Sequence, residues 1–331
     1  MTERMANRKN GWIAGLLGLA LLVGGCSQAA ENNGQAGQTG QADKPAAQAP
    51  KTRTVKDAAG EVTIPANPLR IADVSGATEE LLALGIRPVL TGNSQYQSPT
   101  ELTPILQQEL GTDVAVAGWF QNEVSVEAIA AANPDLIFAG PSQNKIYEQL
   151  NKIAPTVRVP YGFNAFRERF DFIAETLGKK PQMEEWLKAY DDRAKELHDQ
   201  IAAATGEETF AVIEATQKGI RIYAKTGLAD MIYTDLKLPK AAGIPDPDPW
   251  GGKETSLEGL STLDPDHIVL LADSEQNVLE DTAIWSNMRA NKNGKVYRVT
   301  TKQNYDEAFF ALGKKAMIEQ IAADILQKNQ K

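Results

Sequence analysis

Val124–Gly140 reads "VSVEAIAAANPDLIFAG" and Thr255–Leu271 reads "TSLEGLSTLDPDHIVLL". An offset of 131 residues lays one on the other: Ser125 on Ser256, Glu127 on Glu258, Pro134 on Pro265, Asp135 on Asp266 and Ile137 on Ile268. Five of 17 positions are identical and most of the others are like for like. Each copy has a serine placed as a helix N-cap, a short apolar-periodic helix, a Pro-Asp turn and a strand. A chain that repeats one βα module at such a distance is most simply two lobes of related α/β build facing each other across a cleft.

Short β-branched runs alternate with helical patterns on both sides of this echo, the signature of α/β layers. In the first half "RIADVS", "RPVLTG", "DVAVAG", "DLIFAG" and "TVRVP" read as strands. "NAFRERFDFIAETLG" reads as a helix capped by Asn164 and stopped at Gly178. In the second half "TFAVIEAT" and "GIRIYAK" form a hairpin about Gln217, Lys218 and Gly219. A helix in "GLADMIYTDLKL", a strand in "KVYRVT" and one long terminal helix from about Tyr305 to Lys328 complete the plan. Between the halves Trp186, Leu187, Tyr190, Ala194, Leu197 and Ile201 recur at helical spacing within Pro181–Ala204. Twenty-four residues there make a helix of about 36 Å, long enough to run along one side and join two lobes.

The N-terminus has its own logic. Arg4, Arg8 and Lys9 stand against one acid, Glu3, before an apolar run from Trp12 to Val23 and then Gly24, Gly25 and Cys26. That run spans about 18 Å as a helix, too short for a hydrocarbon core of about 30 Å, so it predicts an export signal. Cys26 is the only cysteine and has no disulfide partner within the chain. Ser27–Lys51 is built of Gln, Ala, Gly, Asn and Pro and predicts a flexible tether. The expected organisation is therefore a signal over residues 1–25, Cys26 and tether over 26–51, one lobe over 52–180, a linking helix over 181–204 and the second lobe over 205–331. Loss of the signal removes three positive charges and one negative, taking the net charge from −9 to −11. An acidic chain without a basic cluster excludes nucleic acid as a partner and electrostatic adhesion to a membrane.

The motifs of common catalysts are absent: no G-x-S-x-G, H-E-x-x-H, Walker loop or G-x-G-x-x-G. Of the two histidines, His198 falls on the polar side of the linking helix and His267 heads a strand, expected solvated and half-buried respectively. They do not make a transition-metal site. The reading is a binder rather than an enzyme, with its ligand at strand ends between the lobes. The competing class, an α/β enzyme, would show a strongly shifted carboxylate or histidine in the cleft.

Strand-end loops nominate the pocket: Asn93–Pro99 with Tyr96, Gly118–Asn122 with Trp119, Asp248–Lys253 with Trp250, and Thr301–Glu307 with Tyr305. Alternation along "GIRIYAK" sends Ile220 and Ile222 to one face and Arg221, Tyr223 and Lys225 to the other. That polar face suits an oxygen-rich ligand, because a guanidinium meets oxygens with a planar fork. Trp186 and Trp285 lie in helical patterns and read as core.

"TVKDAAGEVTIPANPLRIADVSGATEELLALGIRPV", "YEQLNKIAPTV", "NKNGKVYRV" and the two echoed stretches together resemble the iron-complex ABC-transporter solute receptors, the periplasmic-type binding proteins for iron–siderophores. The resemblance spans nearly all of Thr52–Leu326. It implies two Rossmann-like lobes joined by one rigid helix, modest closure on the ligand, and a partner permease dimer with a cytoplasmic ATPase. It implies that Glu127 and Glu258, one on each lobe, dock against permease arginines. "VGG" before Cys26 resembles a lipobox, which implies a lipid anchor on the outer face of the cell membrane, with a Gram-positive cell as the expected source. Receptors of this family for catecholates bring several basic residues to the pocket. Here "VIEAT" places Glu214 and Thr216 there, so the expected ligand is a ferric hydroxamate or citrate–hydroxamate complex, with haem, cobalamin or another metal chelate as the alternative. The iron arrives wrapped by its chelator, so no cofactor and no protein metal ligand are expected.

Overall fold

The computed structural model describes residues 51–330. The signal, Cys26 and most of the tether fall outside the described residues. Two five-stranded sheets form the two lobes, and the echoed stretches occupy equivalent places in them. A hairpin of β1 (Thr52–Asp57) and β2 (Gly60–Pro65) precedes the first sheet. That sheet is formed by β3 (Ile71–Val74), β4 (Leu90–Thr91), β7 (Ala115–Val116), β8 (Leu136–Ala139) and β9 (Thr156–Arg158). Their order is β7-β4-β3-β8-β9, and every pairing is parallel. Between β4 and β7 a small ribbon of β5 (Ser94–Gln95) and β6 (Ser98–Leu102) projects from the sheet's end.

The second sheet contains β10 (Phe210–Ala215), β11 (Ile220–Tyr223), β12 (Gly252–Thr255), β13 (His267–Leu271) and β14 (Val296–Val299). Its order is β12-β11-β10-β13-β14. The β10, β13 and β14 trio is parallel, whereas β11 and β12 pair antiparallel, so the expected hairpin is present. In both sheets the strand after the Pro-Asp turn lies between the lobe's first long strand and its last. These central strands are buried on both faces, as parallel strands covered by helices must be.

The echo has a local cause. Ser125 and Ser256 each cap a short helix, Val126–Ala131 and Leu257–Ser261, accepting from the N–H of Ala128 and Gly259. After the turn, the Asp135 carboxylate accepts from the N–H of Leu69 and Arg70 at the head of β3. The Asp266 carboxylate accepts from the N–H and hydroxyl of Thr209 at the head of β10. Each aspartate thus ties its own strand to the neighbouring strand's first free N–H, at matching points of the two lobes.

A 26-residue helix, Lys180–Thr205, joins the lobes. Its buried face carries Tyr190, Ala194, Leu197 and Ile201, four of the six periodic residues read from the sequence; Trp186 and Leu187 are half-buried, and Met183 packs against the first lobe. Trp186 is half-buried and touches the clusters of both lobes, and Trp285 is buried in the second.

Several expectations are corrected. Asn164 does not cap its helix: the helix is Phe166–Leu177, with Ala165 at the cap position. His267 is completely buried, stacked on Phe210 at 4.3 Å, with its ring nitrogens 2.9 Å from the Tyr297 hydroxyl and 2.7 Å from a Glu208 oxygen. Hydrogen bonds on both sides of the ring allow that burial. His198 is only partly exposed, with Nδ1 2.9 Å from the Leu236 carbonyl oxygen.

The terminal helix is two helices, Thr301–Glu307 and Ala311–Lys328, separated by an extended Phe310. The break admits the Phe309 and Phe310 rings to the core where the lobes meet. It also depends on Gly313, since a Cβ there would lie 2.2 Å from the Glu307 carbonyl oxygen. The Gly313 N–H, left unpaired by the break, donates to Glu79 of the first lobe at 2.8 Å.

Glu307 sits at that break, partly buried. Burial first, and then the adjacent Asp306 charge, push its carboxyl up to about 7. A raised carboxyl favours the folded state below the ordinary glutamate range, and that contribution is lost as pH rises through about 7. Glu307→Gln is therefore expected to raise stability at pH 8 by roughly 1 kcal/mol, discounted for part exposure, and to change it little at pH 4.5. Thermal melts at the two pH values check this.

Candidate functional site: a cleft between the lobes

A cavity of about 450 Å³ lies between the lobes, lined by loops that leave strand ends. The first lobe supplies Tyr96, Trp119, Gln121, Asn122, Phe163 and Asn164. The second supplies Glu214, Arg221, Tyr223, Thr226, Trp250, Asn304, Tyr305 and Phe309. Six of the seven residues nominated from the sequence are brought together here: Tyr96, Trp119, Arg221, Tyr223, Trp250 and Tyr305. Lys225 is not among them. β11 ends at Tyr223, so the alternation stops there, and Lys225 lies exposed on the following turn.

The aromatic residues form one connected wall. Tyr96 and Tyr305, from opposite lobes, stack at 4.6 Å, and Trp119 meets Tyr96 edge-on at 5.3 Å. Phe163 and Phe309, again from opposite lobes, stack at 3.8 Å beneath them. Asp306 fixes the seam by accepting from the Tyr96 N–H at 2.6 Å. Phe163 and Phe309 were missed from the sequence. Phe163 lies in "YGFN", the loop directly after the strand "TVRVP", and the strand-end rule would have found it. Phe309 was hidden by the expectation of an unbroken helix.

The polar side is built on β10 and β11. Tyr223 donates its hydroxyl to Glu214 at 3.1 Å. Burial raises the Glu214 carboxyl, opposed by that hydrogen bond and by the charge of Arg221. Burial and the Glu214 charge hold the Tyr223 phenol far above its ordinary range, so it remains a donor. Arg221 is paired with Asp248. Part desolvation raises the Asp248 carboxyl, but Arg221 and the Trp250 N–H together hold it below its ordinary value.

That pairing clips the loop carrying Trp250, a residue 67% exposed that lines the cavity. The clip needs Gly251: at its φ of +85° a Cβ would fall 2.2 Å from the Lys225 carbonyl oxygen and 2.2 Å from the Thr226 hydroxyl. Gly251→Ala is expected to cost about 1–3 kcal/mol and to displace Trp250, which should show as a lower unfolding midpoint and an altered tryptophan emission.

Glu127 and Glu258 are not in the cavity. Both are exposed, each in the first turn of its echoed helix. Glu214 is a shifted carboxylate in the cleft, the feature that would favour an enzyme, but among the described residues no histidine lines the cavity. Among the described residues, no group of three or more His, Cys, Asp or Glu side chains is placed to hold a metal ion, and no helix is long and apolar enough to cross a membrane.

Two α/β lobes joined by a single long helix, with an aromatic cleft built from both, define a solute-binding protein of the rigid-linker class. The chain belongs to the periplasmic binding protein family, which matches residues 74–303; it is a binding protein, not an enzyme. The probable siderophore-binding lipoprotein YfiY of Bacillus subtilis is 30% identical over 266 residues, 75% of this chain and 80% of that protein. The iron(3+)-hydroxamate-binding protein FhuD of the same organism is 28% identical over 292 residues, 85% of this chain and 87% of that protein. The fold superposes with a TM-score of 0.70 on a Bacillus subtilis crystal structure at 26% identity, covering 82% of this chain and 100% of that one. That structure is of a FhuD fold-family periplasmic binding protein component of a Fep/Fec-like ferrichrome ABC transporter.

Proposed function

We propose that the chain is an extracytoplasmic receptor that captures a ferric siderophore between its lobes and delivers it to an ABC importer. The observation that carries this reading is the cleft wall: stacked aromatic rings from both lobes beside a tyrosine, a glutamate and a clipped arginine. Such a wall grips a bulky, partly flat, oxygen-rich complex through ring faces and directed hydrogen bonds. One named relative is a probable siderophore-binding lipoprotein and the other an iron(3+)-hydroxamate-binding protein, in keeping with a ferric hydroxamate or citrate–hydroxamate as ligand. In this reading Tyr96, Trp119, Arg221, Tyr223, Trp250 and Tyr305 contact the chelator.

Cys26 carries the lipid anchor that keeps the receptor at the outer face of the membrane. Glu127 and Glu258 meet the permease, one from each lobe, and a dimeric permease offers a matching pair of contacts. The test is tryptophan-quenching titration of the purified protein with ferric hydroxamates, ferric citrate, a ferric catecholate, haem and cobalamin. Saturable binding of a ferric siderophore in preference to haem and cobalamin is expected. Tight binding of haem or cobalamin alone would replace this reading with the corresponding chelate receptor.

A further inference from the structure

The charges of the cleft wall speak to which ferric complexes it accepts; this inference rests on the siderophore reading above. Glu214 and Arg221 are direct cross-strand partners in the antiparallel register of β10 and β11, so an acid and a base stand side by side on the cleft face. They are not paired with each other. Arg221 turns to Asp248 and lies 3.8 Å from Glu254, so its charge is already compensated. Glu214 has a neutral partner, the Tyr223 hydroxyl at 3.1 Å, and among the described residues it forms no ion pair. Glu214 and Arg221 are the only charged residues lining the cavity among those described. With Asp248 counted, one guanidinium faces two carboxylates, and the wall has no surplus positive charge.

A ferric tris-catecholate carries three negative charges. Seating it here would set like charges together in a partly desolvated site, which disfavours binding. In a ferric tris-hydroxamate three monoanionic groups cancel the charge of iron(III), leaving a neutral core. A pendant ammonium then makes the complex a cation, which the carboxylate of Glu214 and the faces of Tyr96, Trp119 and Tyr305 attract. We propose that the cleft selects ferric complexes of zero or positive net charge, the tris-hydroxamates, and that Glu214 is the residue that sets this selection. A citrate–hydroxamate, whose carboxylates add negative charge, is the weaker ligand.

The experiment uses two chelates that differ in one charge: ferrioxamine B, with a free ammonium arm, and its N-acetylated form, which is neutral. Ferric enterobactin serves as the tris-catecholate. Wild-type protein is expected to bind the cation about 3–10-fold more tightly than its acetylated twin, and both more tightly than the tris-catecholate. Glu214→Gln should abolish the preference for the cation, so that the affinities for the two forms differ by less than about twofold. Asp248→Asn, on the exposed loop, releases the charge of Arg221 and should shift selectivity the same way if Glu214→Gln folds poorly.

An unchanged ratio in both variants, or a wild-type preference for the tris-catecholate, overturns the proposal and leaves the siderophore reading standing. Binding of none of the three complexes, nor of any other ferric siderophore, overturns the siderophore reading and this proposal with it.

Discussion

Replacing Arg169 with alanine is expected to lower the stability of the folded chain by about 3–5 kcal/mol. Arg169 and Glu80 are both fully buried, and the guanidinium donates to the carboxylate through Nε at 3.1 Å and through a second nitrogen. The same guanidinium reaches the Phe309 carbonyl oxygen at 2.8 Å and those of Gly162 and Phe163 at 3.3 and 3.4 Å. It therefore ties the loop that carries Phe163 in one lobe to the chain at Phe309 in the other. Burial raises the Glu80 carboxyl even with Arg169 beside it. Without the arginine, Glu80 is left as an uncompensated buried charge or takes up a proton, and the carbonyls lose their donor.

The sign with pH follows. The variant's Glu80 is raised further, so the variant's deficit should be greatest at pH 8 and shrink as pH falls toward the carboxyl's own range. Converting both partners to leucine should recover much of the loss, because a well-packed apolar pair escapes the desolvation cost. Urea unfolding of the parent and these two variants at pH 8 and pH 5 measures all of this. A loss below about 1 kcal/mol for Arg169→Ala at pH 8 would contradict the account of the seam.

The second large effect is expected in transport rather than in folding. Glu127→Lys combined with Glu258→Lys should leave the unfolding midpoint and chelate affinity nearly unchanged. Both side chains are exposed, both begin helices of only six and five residues, and neither lines the cleft. On the proposed docking role, iron uptake by cells dependent on this receptor should fall by about tenfold or more, because lysine would stand where the docking contact requires an acid. Each single change should cost less than the pair, since a receptor held by one lobe still presents its cleft part of the time. Normal uptake by the double variant would reduce the two glutamates to helix-start residues stabilised by the helix dipole.

What was legible in the sequence was what local chemistry repeats. Ser125 and Ser256 cap, and Asp135 and Asp266 each tie a strand to its neighbour, so the two stretches had to look alike for the lobes to be built alike. The linking helix was legible because one face of it is buried along its whole length. Strand-end loops pointed to Tyr96, Trp119, Trp250 and Tyr305 because that is where α/β lobes open.

The seam was not legible. Glu80, Arg169 and Phe309 meet across separations of 89 and 140 residues, and none shows a local pattern. The break before Ala311 carries no proline; its signal, Gly313, reads in sequence as an ordinary mid-helix glycine. Lys225 was assigned to the cleft because alternation does not announce where a strand ends.

The most direct measurement is the position of iron, by anomalous scattering, in crystals grown with ferrioxamine B. The account predicts one iron in the cleft between the Trp119–Tyr305 wall and Arg221, its coordination supplied wholly by the hydroxamates, with contacts from both lobes. Iron bound directly by protein carboxylates, or a chelate seated on one lobe away from these residues, would contradict it.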